Sequence, residues 1–238
     1  MGNLIPELDF RQESAFLQES VAVRNLLGYA VKTLREAPFI ETTLDPILTM
    51  ASIGVEKLHK LALGALAVDQ SGKWPNTVEM KRLGHGSLGM HSTLMGELET
   101  RSLASTPYVR ETLARVHDDP VVAELLGALD TYGRMGRFYY LDLLGDTPQD
   151  WVGPNDAWTA IEAAALQDPA LSRMREESFA DVGNNAKFDA LLSALSGRVA
   201  GAIENVWDAI TVSGRNHILG RAGEVLGFEA HRDAVGRQ

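Results

Sequence analysis

The stretch "SAFLQESVAVRNLLGYAVKTLRE", residues 14 to 36, decides the fold class. Phe16, Leu17, Val21, Val23, Leu26, Leu27, Ala30, Val31 and Leu34 recur at three- and four-residue steps. That spacing lays them along one face of an α-helix. Pro38 closes the segment, because proline has no N–H to donate and disfavours helical geometry in the residue before it.

The same period continues downstream. Asp45-Pro46 reads as an N-cap followed by proline at the first helical position, and the helix it opens runs to about Val68. Leu48, Ala51, Val55, Leu58, Ala62 and Ala65 form its apolar stripe, with Glu56, Lys57, His59 and Lys60 on the wet arc. Asp69-Gln70-Ser71-Gly72 ends it, and Trp74-Pro75-Asn76-Thr77 begins a short basic turn. Further helices are predicted over Ser87–Leu103, Pro107–Val116 and Val121–Leu144. The residues 146–155, with Pro148, Gly153 and Pro154, form the clearest loop. Asp156 and Trp158 start another helix, which Asp168-Pro169 breaks and restarts. Lys187–Leu219 reads as one long helix despite Gly197, Gly201 and Gly214, and His231–Gln238 reads as a polar, frayed end. No alternating segment is bounded by hairpin turns. The expectation is an all-α helical bundle with long antiparallel helices, a single domain over residues 1–238, with the loop 146–155 as the boundary if it subdivides.

At 238 residues, 45% apolar and 23% charged, the chain is long enough to bury a real core. No run approaches the eighteen or so apolar residues of a membrane span, and no basic start followed by an apolar block marks a secretory signal. The absence of cysteine removes disulfides, thiolate chemistry and Cys-ligated zinc, and fits a cytoplasmic protein. A formal net charge of −10 repels polyphosphates, so any nucleic acid must meet a local basic surface.

Four groups of residues can carry chemistry. Glu56 and His59 form an E-x-x-H, which puts carboxylate and imidazole on adjacent turns of one face. Carboxylate-bridged di-iron bundles need that motif twice, and here it occurs once, on the polar arc. A solvated or interfacial pair fits it better than a metal ligand set. No metal or other cofactor is expected. His85 and His91 are six apart, about 240° around a continuous helix, and cannot chelate one ion together. Gly84 and Gly86 let the backbone at His85 approach a substrate. The plainer alternative is that Gly84 ends a short helix and His85 caps or packs. Arg134 and Arg137 share a helix face beside Phe138, Tyr139 and Tyr140, with Asp130 placed for an ion pair to Arg134. Arginines beside stacking aromatics suit RNA or nucleotide phosphates. Snorkelling arginines over tyrosines that fill the core fit better. Arg215, at a helix end, offers a further phosphate donor or a plain polar terminus.

The order "GVEKLHKLALGAL", a short Pro-containing linker and "KRLGHGSLGMH" resembles the HEPN superfamily of helical domains, over roughly Ser14 to Leu103. That resemblance implies face-to-face pairing, often in defence or toxin–antitoxin systems. Catalytic members are metal-independent ribonucleases. In them an Arg steadies phosphate and a His, after four to six intervening residues, serves as acid and base. From Arg82, His85 follows after two residues and His91 after eight, so the spacing departs from that signature. The expectation is a homodimeric protein acting in RNA or nucleotide binding. Catalysis, where present, falls to His85 or His91 with Arg82, and nucleic-acid contact to Lys81, Arg134, Arg137 and Arg215. The competing class is a non-catalytic bundle that binds another protein, and a metal-dependent helical enzyme ranks last.

Overall fold

The computed structural model describes residues 3–145 and 150–236. Among them are eleven α-helices, two short 3-10 turns and no strand, so the fold is all-α. Helices α1 (Phe10–Glu36) and α2 (Ile40–Ser71) form a long antiparallel hairpin. Next come α3 (Thr77–Arg82), α4 (Ser87–Ser102), α5 (Pro107–His117) and α6 (Pro120–Arg134). Then follow α7 (Tyr139–Leu143), α8 (Pro154–Ala165), α9 (Pro169–Ala180), α10 (Asn185–Arg215) and α11 (Gly220–Glu229). One continuous cluster of buried side chains runs from Ile5 to Ala230. Residues 146–149 of the loop read as a subdivision lie outside the described residues. On its two sides, Leu125 of α6 and Trp158 and Ile161 of α8 belong to that same cluster. No helix among the described residues is long and apolar enough to cross a membrane.

Four boundaries differ from expectation, each for a local reason. Helix α2 starts at Ile40, with Pro46 inside it. A proline in the second turn removes only one ladder bond. Asp45 is not its cap: its carboxylate accepts the Tyr132 hydroxyl at 2.7 Å. Burial, together with that carboxylate, pushes the Tyr132 phenol up to about 12. The segment 121–144 is three pieces. Helix α6 ends at Arg134, where Met135 leaves helical geometry at φ −138°, and Gly136 packs on the Tyr132 ring so tightly that a Cβ there would lie 2.8 Å from it. The run 187–219 stops at Arg215, where Ile218 N–H donates back to the Ser213 carbonyl and His217 takes a left-handed φ of 61°. The end of the chain is docked, not frayed, as far as it is described. Trp207 donates its indole N–H to the Ala230 carbonyl, Val235 fills the notch over Gly28, and Gly236 N–H reaches Asn25.

The glycines of α10 separate into two kinds. A Cβ at Gly201 meets nothing within 4 Å, whereas one at Gly214 would sit 2.2 Å from the Gly223 carbonyl oxygen of α11. Gly201→Ala is therefore expected to stabilise the protein by about 0.5–1 kcal/mol through helix propensity. Gly214→Ala should destabilise it by about 1–3 kcal/mol, because α11 must move off α10. Chemical denaturation of the two variants checks the opposite signs.

Candidate functional site

Helix α2 is enclosed on several sides: α1, α4, α6 and α11 all pack on it. Its wet arc is consequently narrower than polarity suggested. Glu56 is only partly exposed and His59 is fully buried, which corrects the placement of the E-x-x-H on a solvated arc. The two residues do not work on each other. Each instead meets one of the two downstream histidines, forming two rungs between α2 and the start of α4.

The outer rung is Glu56–His85. Gly84, with φ 64°, terminates α3 and turns the chain so that His85 Nδ1 lies 2.9 Å from Glu56 Oε1. Lys60, one turn along α2, donates to the same oxygen at 2.7 Å. Burial raises the Glu56 carboxyl, but the hydrogen bonds from Lys60 and His85 outweigh it and the net direction is down. With Nδ1–H given to the carboxylate, His85 keeps Nε2 for other use, on a side chain that is 70% exposed.

The inner rung is His59–His91. His59 Nδ1 lies 2.7 Å from the Val55 carbonyl, and its Nε2 lies 3.0 Å from His91 Nδ1. A carbonyl oxygen only accepts, so His59 carries its proton on Nδ1 and accepts at Nε2. His91 must then donate from Nδ1, which leaves its Nε2 unprotonated. Burial, with the neighbouring His91, pushes His59 down to about 3, and burial pushes His91 down to about 4. Both rings are neutral at pH 7.

Asp130 of α6 joins α4 to the arginine pair. Gly86 precedes α4 with no side chain to cap it. Asp130, its side chain 5% exposed, supplies the missing acceptor from another helix: the Leu88 N–H donates to it at 3.2 Å, and Arg134 forms an ion pair with it.

These elements converge on His85, which lies between two cavities. One, of about 730 Å³, is bordered by Gln12, Lys60, Trp74, Asn76, Lys81 and His85. The other, of about 340 Å³, is bordered by His85, Gly133, Arg134, Met135, Arg137 and Phe138. The fold thus brings together His85, Lys81, Arg134 and Arg137. It separates others. Arg82 is exposed on α3 and lines neither cavity, and Arg215 lies at the far end of α10, packed against Gly227 of α11. His91 is turned inward to His59. The tyrosines beside Arg137 do not fill the core: Tyr140 is 49% exposed, and Tyr132 is the buried one. Among the described residues no group of three or more His, Asp or Glu side chains is placed to hold a metal ion.

Sequence reading missed Glu56 as the partner of His85, Asp130 as the cap of α4, and the wall formed by Gln12 and Trp74. The basic residues before Gly84 pointed to the right turn, but nothing local pointed to its partners.

No protein-family model, no curated protein and no solved structure matches this chain.

Proposed function

We propose that this protein binds RNA or nucleotide phosphate along the basic edge centred on His85. The observation that carries the reading is the gathering of Lys60, Lys81, Arg134 and Arg137 around two cavities that share His85, in a chain of net charge −10. Such a concentration of cations against the overall charge favours a polyanion. Phe138 and Tyr140, exposed beside the arginines, offer ring faces to unpaired bases.

The arrangement also suits phosphodiester cleavage of the kind the HEPN resemblance implies. Glu56 accepts the His85 Nδ1–H and orients the ring, so Nε2 can take the proton of a ribose 2′-hydroxyl as that oxygen attacks the adjacent phosphorus. The 5′-oxygen leaves with the bonding pair and takes up a proton, and a 2′,3′-cyclic phosphate remains. Arg134 and Arg137 balance the charge that grows on the phosphoryl oxygens. Pairing of two copies across this edge, as in a HEPN homodimer, belongs to the same proposal. A second reading, a scaffold that binds another protein, is favoured by the row of exposed apolar residues Phe138, Leu141, Leu143 and Leu144.

Fluorescence anisotropy with a short single-stranded RNA tests the first reading. Replacing Arg134 and Arg137 together by Ala is expected to weaken binding by about tenfold or more and to lower the salt slope by about 1.4. Arg215→Ala should match wild type. His85→Ala should suppress cleavage while leaving binding within about threefold. Unchanged affinity in the double arginine variant removes this reading and leaves the scaffold.

A further inference from the structure

The arm from Gly72 to Gly86 is the most lightly attached part of the site. No α3 side chain is buried. Cavities open on both of its faces: the 730 Å³ one, and another of about 580 Å³ lined by Leu63, Gly64, Ala67, Trp74 and Glu79 among others. The backbone enters and leaves through left-handed glycines, Gly72 at φ 70° and Gly84 at φ 64°. Among the described residues, one hydrogen bond ties residues 76–85 to the rest of the fold, and it is His85 to Glu56. Trp74 anchors the near end, edge-on to Phe16 and seated on Gly64.

The polar groups that border the larger cavity are left with donors. Gln12 spends its carbonyl oxygen on the Asp9 N–H at 3.1 Å and keeps its amide N–H groups. Asn76 spends its own on the N–H groups of Val78 and Glu79, at 2.9 and 3.1 Å, and likewise keeps its amide. Lys60 uses one of its three N–H bonds on Glu56. Lys81 has no carboxylate partner among the described residues. No Asp or Glu borders the space, and Glu79, which caps α3, faces the opposite cavity. Trp74, Pro75 and Met80 supply an apolar wall. A lining of donors and cations with one apolar side suits an anion rich in acceptors that is attached to an organic body.

We propose that this cavity binds a terminal phosphomonoester, held between Lys60 on α2 and Lys81 on the α3 arm, with its organic group against Trp74. The site goes beyond the RNA reading. A polymer backbone of phosphodiesters follows the Arg134 edge, whereas a space lined by amide donors, two lysines and one apolar side accepts one end group carrying two charges. Its existence does not require RNA to bind at the arginines. The phosphate belongs either to a free small molecule or to the 5′ end of an RNA. In both cases the anion draws Lys81 and the arm toward α2.

Isothermal titration of the full chain with AMP, adenosine and inorganic phosphate, and with one RNA in 5′-phosphate and 5′-hydroxyl forms, decides it. AMP is expected to bind at least about tenfold tighter than adenosine, and Lys81→Met, which keeps the aliphatic stem, should remove that advantage. Arg215→Ala is the charge-matched control. A 5′-phosphate gain in RNA affinity that Lys81→Met abolishes assigns the site to RNA ends. AMP binding without such a gain assigns it to free small molecules. Failure of inorganic phosphate, AMP and the phosphorylated end alike, or AMP binding indifferent to Lys81→Met, overturns the site. Loss of RNA binding in the Arg134 and Arg137 variant bears on the other edge alone.

Discussion

Lowering the pH from 7.5 to 5 is expected to remove about 3–4 kcal/mol of unfolding free energy, most of it through His59 and His91. In the unfolded chain both imidazoles take up a proton near pH 6.5. In the fold, burial holds them down to about 3 and about 4. Between those limits the unfolded state binds more protons, so stability is full above pH 6.5 and falls as the pH drops. The slope is about 1.4 kcal/mol per pH unit for each ring, or about 2 kcal/mol per ring by pH 5. His91 is partly solvated and contributes the smaller share. The hydrogen-bond order sets how the pair titrates. A first proton on the outward Nε2 of His91 leaves its Nδ1–H bonded to His59. A second proton, on His59 Nε2, sets two N–H groups against each other and breaks the rung. His91→Asn keeps an amide donor for His59 and removes one titrating ring, so its pH slope should be near half that of wild type. Urea unfolding at pH 7.5, 6 and 5 measures both curves. A wild-type stability that is flat over this range would mean that the two rings are not neutral and buried as described.

The helices were legible where the buried residues follow one apolar stripe. Phe16 to Leu34 lies against one face of the core, and the spacing alone locates α1. Helix α2 shows the limit, since α1, α4, α6 and α11 all pack on it. Its wheel assigns His59 to water because imidazole is polar, yet the position faces α4, where His91 waits with a matching nitrogen. Glycine was ambiguous for a similar reason. Gly201 and Gly214 look alike in the sequence, and only the approach of α11 separates an idle position from a required one. The site was half legible. The basic run before Gly84-His85 and the Arg134/Arg137 pair are visible as patterns. Their union is not, because His85 meets Glu56 across 29 residues and His91 meets His59 across 32. Pairings at that separation carry no local period, and they depend on how the α1–α2 hairpin is set against α4 and α6.

Asp130→Ala is expected to lower stability and raise anion affinity at once. The carboxylate has two partners of unequal weight. Arg134 is 49% exposed, so water solvates it well and its ion pair with Asp130 is worth at most about 1 kcal/mol. The buried side of Asp130 matters more. It accepts the Leu88 N–H and places negative charge at the N-terminus of α4, where Gly86 provides no cap. Removing it leaves a first-turn donor without its acceptor, at a cost of about 1.5–3 kcal/mol. Arg134→Ala should cost less than about 1 kcal/mol, so the two variants separate the cap from the ion pair. Asp130→Asn, whose amide oxygen can still accept from Leu88, should fall between them. At the basic edge the effect runs the other way. Without Asp130 the Arg134 guanidinium is no longer neutralised, and the positive field beside His85 grows by one charge. RNA should then bind about three- to tenfold tighter at low salt, with the gain disappearing as ionic strength rises. Denaturation curves and anisotropy titrations on one preparation of Asp130→Ala give both signs. Weaker RNA binding by a variant that remains folded would place the phosphates away from Arg134 and take that arginine out of the proposed surface.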